Sequence, residues 1–489
     1  MQILLAHSYF LRFDRKQLER ARPYPPLATL QVASMLREAG HVIQVFDAML
    51  ADGIQDYWRQ LRAMGPTLVV FYEDSFNYLS KMCLERMRQA CCEMIGHASR
   101  AGARVLVVGP DATDSPETYL SAGADAVLLG EALQSLMTLT ARLAVDPRIP
   151  VARWVEGDAN AVTPTWGANA GPRARRAAEP RARMERPAWD LIDLQRYRTM
   201  WQGAHGYFSL NMAASRGCSF RCNWCAKPIW GNRYLQRDPD DVATEMAGLR
   251  QHFRPDHIWF ADDIWGFRVD WINSFAQSIR AQGGAIPFTV QTRADLITEP
   301  MAVALRDAGC SEAWLGAESG SQRILDAMNK GTSVQELLQA RARLRDHGIR
   351  VGFFIQLGYL GEELEDVVAT RSLIERAVPD EIGVSVSYPL PGTPFYEKVK
   401  AQLGAKTHWQ ESSDLAMMFH GTYVSEFYWS VRELLHERVR IGRLAVEHAG
   451  TRDQALATLQ QRWDDLIAQQ DRFRRADRVT APATCAAIV

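Results

Sequence analysis

Short apolar runs alternate with amphipathic stretches through the first 145 residues. Gln2–Ala6, Val42–Phe46, Thr67–Phe71, Arg104–Val108 and Ala126–Leu129 are rich in Val, Leu and Ile, the pattern of strands buried on both faces of a parallel sheet. Between them apolar positions recur at helical spacing, as in Leu27–Ala39 before Gly40 and Tyr78–Ala101 before Gly102. Glycine just past a helix end accepts the left-handed cap that stops it. This strand–helix order predicts a doubly wound α/β domain over 1–145, with ligands beyond the carboxyl ends of its strands.

The pattern then breaks. Pro147 and Pro150 interrupt it, and Gly171–Arg183 is dense in Ala, Arg and Pro, so 146–204 reads as an exposed linker. Its arginines lack the interleaved aromatics of a nucleic-acid surface. Alternation resumes over 205–400, with strands expected at His257–Ala261, Phe288–Gln291, Ala313–Gly316, Val351–Leu357 and Gly383–Tyr388. Asp238-Pro239 opens one of the intervening helices as a cap followed by proline. From 401 to 489 only helical spacing survives, in Phe427–His448 and Arg452–Arg474. Gly450 is read as ending the first of these, and Thr451 with Gln454 as capping the second.

Composition changes this picture little. Lys plus Arg (56) balances Asp plus Glu (57), which gives no global attraction to nucleic acid or acidic membranes. No run of about 18 apolar residues proposes a membrane span, and the chain starts directly in a strand without an export signal. A reduced, cytoplasmic setting is expected.

The chemistry is concentrated in Ser215-Arg-Gly-Cys218-Ser-Phe-Arg-Cys222-Asn-Trp-Cys225. A Cys-x3-Cys-x2-Cys loop supplies three thiolates, one short of the four that usually hold a 4Fe–4S cluster. A zinc site would want a fourth cysteine or histidine nearby, and eight cysteines in 489 residues are too sparse for a disulfide framework. Cys83, Cys91, Cys92, Cys310 and Cys485 read as small buried hydrophobes.

The segment Cys218–Cys225, with Trp224 beside its last cysteine, resembles the cluster loop of radical S-adenosylmethionine (SAM) enzymes. Resemblance implies a 4Fe–4S cluster on Cys218, Cys222 and Cys225 whose open iron binds S-adenosyl-L-methionine, cleaved reductively to a 5′-deoxyadenosyl radical. It also implies a partial βα barrel with the cluster loop after its first strand, and an electron donor of flavodoxin or ferredoxin type. The later segments match the family in order. Asp262 and Asp263 end one strand, where a carboxylate accepts from the methionyl amine. Arg293 ends the next, in reach of a carboxylate. Leu315-Gly-Ala-Glu318-Ser319-Gly320 resembles the glycine-and-glutamate element, with Glu318 as a polar contact to the nucleoside-bearing ligand. The loops Gly358–Glu362 and Tyr388–Tyr396 are also similar to the family's.

The N-terminal loops add a second resemblance. Pro25-Pro26-Leu27, Gly109-Pro110-Asp-Ala-Thr113 and Gly130-Glu131-Ala132, ahead of a radical motif, resemble the cobalamin-binding domain of the group that contains the anaerobic magnesium-protoporphyrin IX monomethyl ester cyclase. Pro26, Gly109, Pro110, Thr113, Gly130 and Glu131 are the cobalamin contacts this implies. The Asp-x-His-x-x-Gly signature is absent, its place taken by His7-Ser8-Tyr9-Phe10, so a vestigial domain without cofactor stands as the alternative. The expected activity is methylation of an unactivated carbon of a small-molecule or natural-product substrate. An oxidative cyclisation or rearrangement of the cyclase type, and a non-catalytic iron–sulfur sensor, are the alternatives. Trp224, Trp230, Trp259 and Trp265 fall near the cluster face, as candidates either for a pocket floor or for core.

Overall fold

The computed structural model describes residues 1–151, 154–155, 184–225, 234–403, 408–410, 416–443 and 449–475. Two parallel sheets organise it. The first contains β1 (Gln2–Ala6), β2 (Val42–Phe46), β3 (Leu68–Tyr72), β4 (Arg104–Val108), β5 (Ala126–Leu128) and β6 (Trp154–Val155), in the order β2-β1-β3-β4-β5-β6. Ile3 lies beside Ile43 on one side and Leu68 on the other. All five residues of β3 are buried, as expected for a central strand covered by helices on both faces. Strand order reverses at β1 and β3, and a doubly wound sheet of this order opens its ligand crevice there.

After β7 (Ser209–Met212), the short strands β8 (Ser215–Gly217) and β9 (Tyr234–Gln236) pair antiparallel and bracket the cysteine loop. The second sheet joins β7 to β10 (His257–Phe260), β11 (Phe288–Thr292), β12 (Cys310–Glu318), β13 (Arg350–Leu357) and β14 (Glu381–Val386). Every neighbouring pair is parallel, which makes an open, partial βα barrel. Asp238 caps the helix Pro239–His252 by accepting from the Asp240 amide. In β12 the register shifts between Gly316 and Glu318, and Glu318 takes a left-handed φ of 58°. A bulge of this kind re-aims a side chain at a strand end.

Three expectations are corrected. The helix expected over Tyr78–Ala101 is two, Tyr78–Met82 and Glu85–Arg100, broken at Cys83 with φ 49°; the apolar spacing runs through the break and hides it. The stretch 146–204 is more than a linker, because Trp154–Val155 extends the first sheet and Leu194–His205 is a helix capped by Asp193; its Ala/Arg/Pro-rich middle lies outside the described residues. Gly450 does not end a helix and Thr451 does not cap one, since both lie inside the helix Ala449–Ala468; helical backbone tolerates a lone glycine at modest cost. Trp265 is core: it is fully buried among Phe260, Trp271, Phe275 and Phe288. Trp230 and Cys485 lie outside the described residues. Among the described residues no helix is long and apolar enough to cross a membrane.

Candidate active site

The cysteine loop is held by the residues between its thiols. Asn223, flanked by Cys222 and Trp224, donates its amide to Met328 O at 3.0 Å and its side-chain Nδ2 to Ala327 O at 2.7 Å. Its backbone oxygen accepts from the Phe395 amide at 2.9 Å, and Tyr359 Oη lies 2.9 Å from its Oδ1. Asn329 reaches Arg221 O, also at 2.9 Å. The loops Gly358–Glu362 and Tyr388–Tyr396 therefore clamp the cysteine loop. On its other flank Asp262, wholly buried, accepts from the Ala214 amide at 3.0 Å and from Ser215 Oγ. Burial pushes the Asp262 carboxyl up to about 7, although those hydrogen bonds and the Ser215 amide oppose the rise.

Cys218, Cys222 and Cys225 all line one cavity of about 1370 Å³. That exceeds the roughly 300–1,000 Å³ that accommodates a single drug-sized ligand. Arg293 lies over the Phe220 ring at 3.7 Å and directs Nη1 at Cys222 Sγ, 3.7 Å away. Among the described residues no three His, Cys, Asp or Glu side chains converge on a single ion site. A cubane's cysteines each hold a different iron, so its ligands need not meet at one point. Four side chains lining the cavity keep a buried polar atom without a hydrogen-bond partner among the described residues: Asn211 Oδ1, Trp224 Nε1, Thr292 Oγ1 and Gln356 Oε1. Buried polar groups are normally satisfied, so a wall carrying four orphans suits a polar ligand.

The other expected SAM contacts divide. Glu318 lines the cavity but is ion-paired with Lys330 at 2.7 Å, both side chains buried. Arg293 also pairs with Asp295 at 2.9 Å. Asp263 meets Lys81 of the N-terminal domain at 2.6 Å, again buried. Ser319 does not face the cavity: its hydroxyl accepts from the Ser321 amide and lies 3.2 Å from Thr370 Oγ1, which keeps it inside the loop that packs on the helix Leu364–Ala377.

The N-terminal domain reaches the cavity through the loops after β1 and β3, by Tyr9, Leu11, Asp74, Phe76, Tyr78 and Lys81. This is the switch point of the sheet. The contacts expected after β4 and β5 lie to one side, and neither Gly109, Pro110, Thr113, Gly130, Glu131 nor Pro26 lines the cavity. Thr113 donates to Gly109 O and accepts from the Gly130 amide, which zips the two loops together. Asp111 is gripped by Arg88 at 2.6 and 2.8 Å, by Tyr119 and by His408. Glu131 pairs with the half-buried Arg216 of β8 at 3.3 Å. A Cβ on Gly130, whose φ is 82°, would meet no atom within 4 Å, so that edge leaves room for a bulky group. The donor set and the orphaned polar atoms fit the cluster and SAM. The size of the cavity and its opening onto the switch point fit a corrin beside them.

Asn223 and Arg216, which sit at the variable positions of the cysteine segment, and Lys81 and Lys330, which carry no motif, are not singled out by the sequence. Of the tryptophans singled out in the sequence, Trp224 and Trp259 line the cavity, as do Trp201, Trp314 and Trp409.

The radical SAM superfamily model matches residues 212–374. An uncharacterized methyltransferase of Pyrococcus horikoshii is 25% identical over 378 residues, 76% of this chain and 78% of its own. The anaerobic magnesium-protoporphyrin IX monomethyl ester cyclase of Rubrivivax gelatinosus is 24% identical over 220 residues, covering 44% of this chain and 38% of the cyclase. Among solved structures, the radical SAM methyltransferase TsrM of Kitasatospora setae, with cobalamin and a 4Fe–4S cluster bound, superimposes with a TM-score of 0.63 at 17% identity. That match covers 82% of this chain and 74% of TsrM. The cobalamin-dependent radical enzyme OxsB, with aqua-cobalamin and SAM bound, gives 0.65 at 15% identity over 95% of this chain and 72% of OxsB. Residues 212–374 are thus a radical SAM domain, and the fold built around them is that of the cobalamin-dependent radical SAM enzymes.

Proposed function

We propose that this chain is a cobalamin-dependent radical SAM enzyme that methylates an unactivated carbon of a small molecule. One observation carries the reading: the cysteine loop and the switch point of the N-terminal sheet open into the same cavity. Cys218, Cys222 and Cys225 hold the cluster, and Trp224, Asn211 and Gln356 offer unpartnered polar atoms to SAM. The loops after β1 and β3 carry cobalamin. When bound, these groups supply hydrogen abstraction and a transferable methyl group.

The chain's own residues place and shield that chemistry. Asn223, Tyr359 and the Phe395 amide fix the cysteine loop. Lys81–Asp263 pins the two domains at the cavity, and Arg216–Glu131 pins them to one side of it. Aromatic walls limit the entry of water, so that the reacting groups are held by fixed protein groups rather than by solvent. The domain boundaries follow the chemistry, with 1–145 for cobalamin, 205–400 for the radical domain and 401–489 as a helical cover. A one-electron donor of flavodoxin or ferredoxin type completes the system.

Anaerobically purified chain with added cobalamin should show a protein-bound corrin absorption spectrum. Its product should be heavier than substrate by one CH2; a product without that increment would favour the cyclase-type reaction, and no SAM consumption under dithionite would leave only a sensor.

A further inference from the structure

The cavity also extends to the opposite end of the barrel strands, where its residues serve none of the steps above. Ser209, His257, Thr289, Glu312, Arg350 and Glu381 stand near the amino ends of six neighbouring strands. They form a belt that satisfies itself. Tyr24 Oη lies 3.0 Å from Ser209 Oγ, and Ser209 Oγ 2.8 Å from His257 Nδ1. His257 Nε2 lies 2.9 Å from Thr289 Oγ1, which donates to Glu312 Oε2 at 3.3 Å. Burial, with Arg22 adding to it, lowers His257 to about 4, so the imidazole is neutral and serves as a link in the chain. Arg350 then pairs with Glu312 at 3.3 Å.

What the belt leaves over is positive charge. Arg20, Arg22 and Arg443 line this end of the cavity, are exposed, and have no ion-pair partner among the described residues. Lys16, His436 and Arg440 line it beside them. The acids that face them are engaged: Glu19 with Arg15 at 2.8 Å, Glu312 with Arg350, and Glu437 with Arg440. Glu381 lies 3.9 Å from Arg350, and Glu433 lines the adjoining cleft with Arg432 rather than the main cavity. Between this basic end and the cysteines the wall is aromatic, with Tyr24, Trp259, Trp314 and Phe354. Glu312 and Glu318 on β12 mark the two ends, roughly 20 Å apart at the rise of a strand.

We propose that the basic end is the anchoring subsite of the substrate, which is an elongated molecule with an apolar or aromatic body and a terminal anionic group, carboxylate or phosphate. Arg20, Arg22 and Arg443 hold the anion, and the body runs along the aromatic wall toward the cysteines. The assignment rests on the radical methyltransferase reading only for what happens at the far end.

The test uses two probes with one body, 1-pyrenebutyrate and uncharged 1-pyrenebutanol. Each is titrated into the cluster-reconstituted full chain and read by tryptophan-to-pyrene energy transfer. The acid should bind about tenfold tighter or more, and Arg22→Gln with Arg443→Gln should cut that preference to about twofold while leaving the alcohol's affinity in place. Raising salt from about 0.05 to 0.5 M should shrink the preference in the unaltered chain, which needs no variant to fold. Inorganic phosphate displacing the acid at lower concentration than acetate assigns a phosphoryl head, and the reverse a carboxylate. Equal affinities for acid and alcohol, or a preference indifferent to both salt and the variant, would overturn the subsite. Formation of 5′-deoxyadenosine, measured on the same preparation, separates the two claims. Its absence beside an intact charge preference refutes the radical reading alone, and its presence without the preference refutes the subsite alone.

Discussion

Truncating Lys330 tests the internal electrostatics of the site. Lys330 Nζ and Glu318 Oε1 are 2.7 Å apart, with side chains only 6% and 5% exposed. At an effective dielectric of about 20 their attraction is about 6 kcal/mol, and desolvation of both ions cancels most of it. Removing one partner keeps the desolvation cost of the other and loses the attraction, so Lys330→Met should cost about 3–5 kcal/mol. Glu318→Gln added to it should recover most of that loss, because no buried charge then remains. The assay is urea unfolding of the four-member double-mutant cycle, followed by tryptophan fluorescence and far-UV circular dichroism, whose transitions must coincide for the free energies to be used. A loss below about 1 kcal/mol for Lys330→Met, or strictly additive single effects, would refute the reasoning. Gly316→Ala gives an independent check: its Cβ would fall 2.6 Å from Lys330 Nζ and 2.7 Å from Glu318 Oε1, so it should weaken the same pair.

Further outcomes follow from other contacts. Burial pushes the Glu362 carboxyl up to about 8, against the pull of its hydrogen bond from the Gly358 amide. A raised carboxyl means the folded chain holds the extra proton, so stability should fall as pH rises from about 4.5 to 8, by up to about 5 kcal/mol. Glu362→Gln should flatten that slope in a pH series of urea midpoints, and an unchanged slope would contradict it. Asn223→Ala removes two side-chain contacts of the cysteine loop and should lower iron and sulfide content after reconstitution while leaving the far-UV spectrum intact; full loading would count against the clamp. Trp265→Ala should cost about 3–5 kcal/mol as a core truncation, whereas Trp259→Ala, on the cavity wall, should cost less and alter pyrene-probe binding instead.

The strands were legible because buried parallel strands are apolar throughout, and β1, β2 and β4 match their expected bounds. The cysteine loop was legible because its chemistry needs three thiols in one turn. Which loops of the first sheet face the cavity was not, since the order β2-β1-β3-β4-β5-β6 is a property of the assembled sheet and glycine-rich turns after β4 and β5 look equally inviting. The ion pairs Lys81–Asp263 and Arg216–Glu131 join residues far apart in sequence and leave no periodic trace. Cys83 interrupts a helix by its backbone conformation, while the side-chain pattern continues across it. Trp265 and Trp259 are near in sequence, yet one is core and the other wall; only the packing of β10 and β11 separates them.

Incubating the anaerobically reconstituted chain with SAM and dithionite, and quantifying 5′-deoxyadenosine by mass spectrometry, bears most directly on the central claim. The chain should form it, and the variant with Cys218, Cys222 and Cys225 all changed to Ala should form none. Undiminished 5′-deoxyadenosine from that variant, or none from a chain carrying its full complement of iron and sulfide, would contradict the account.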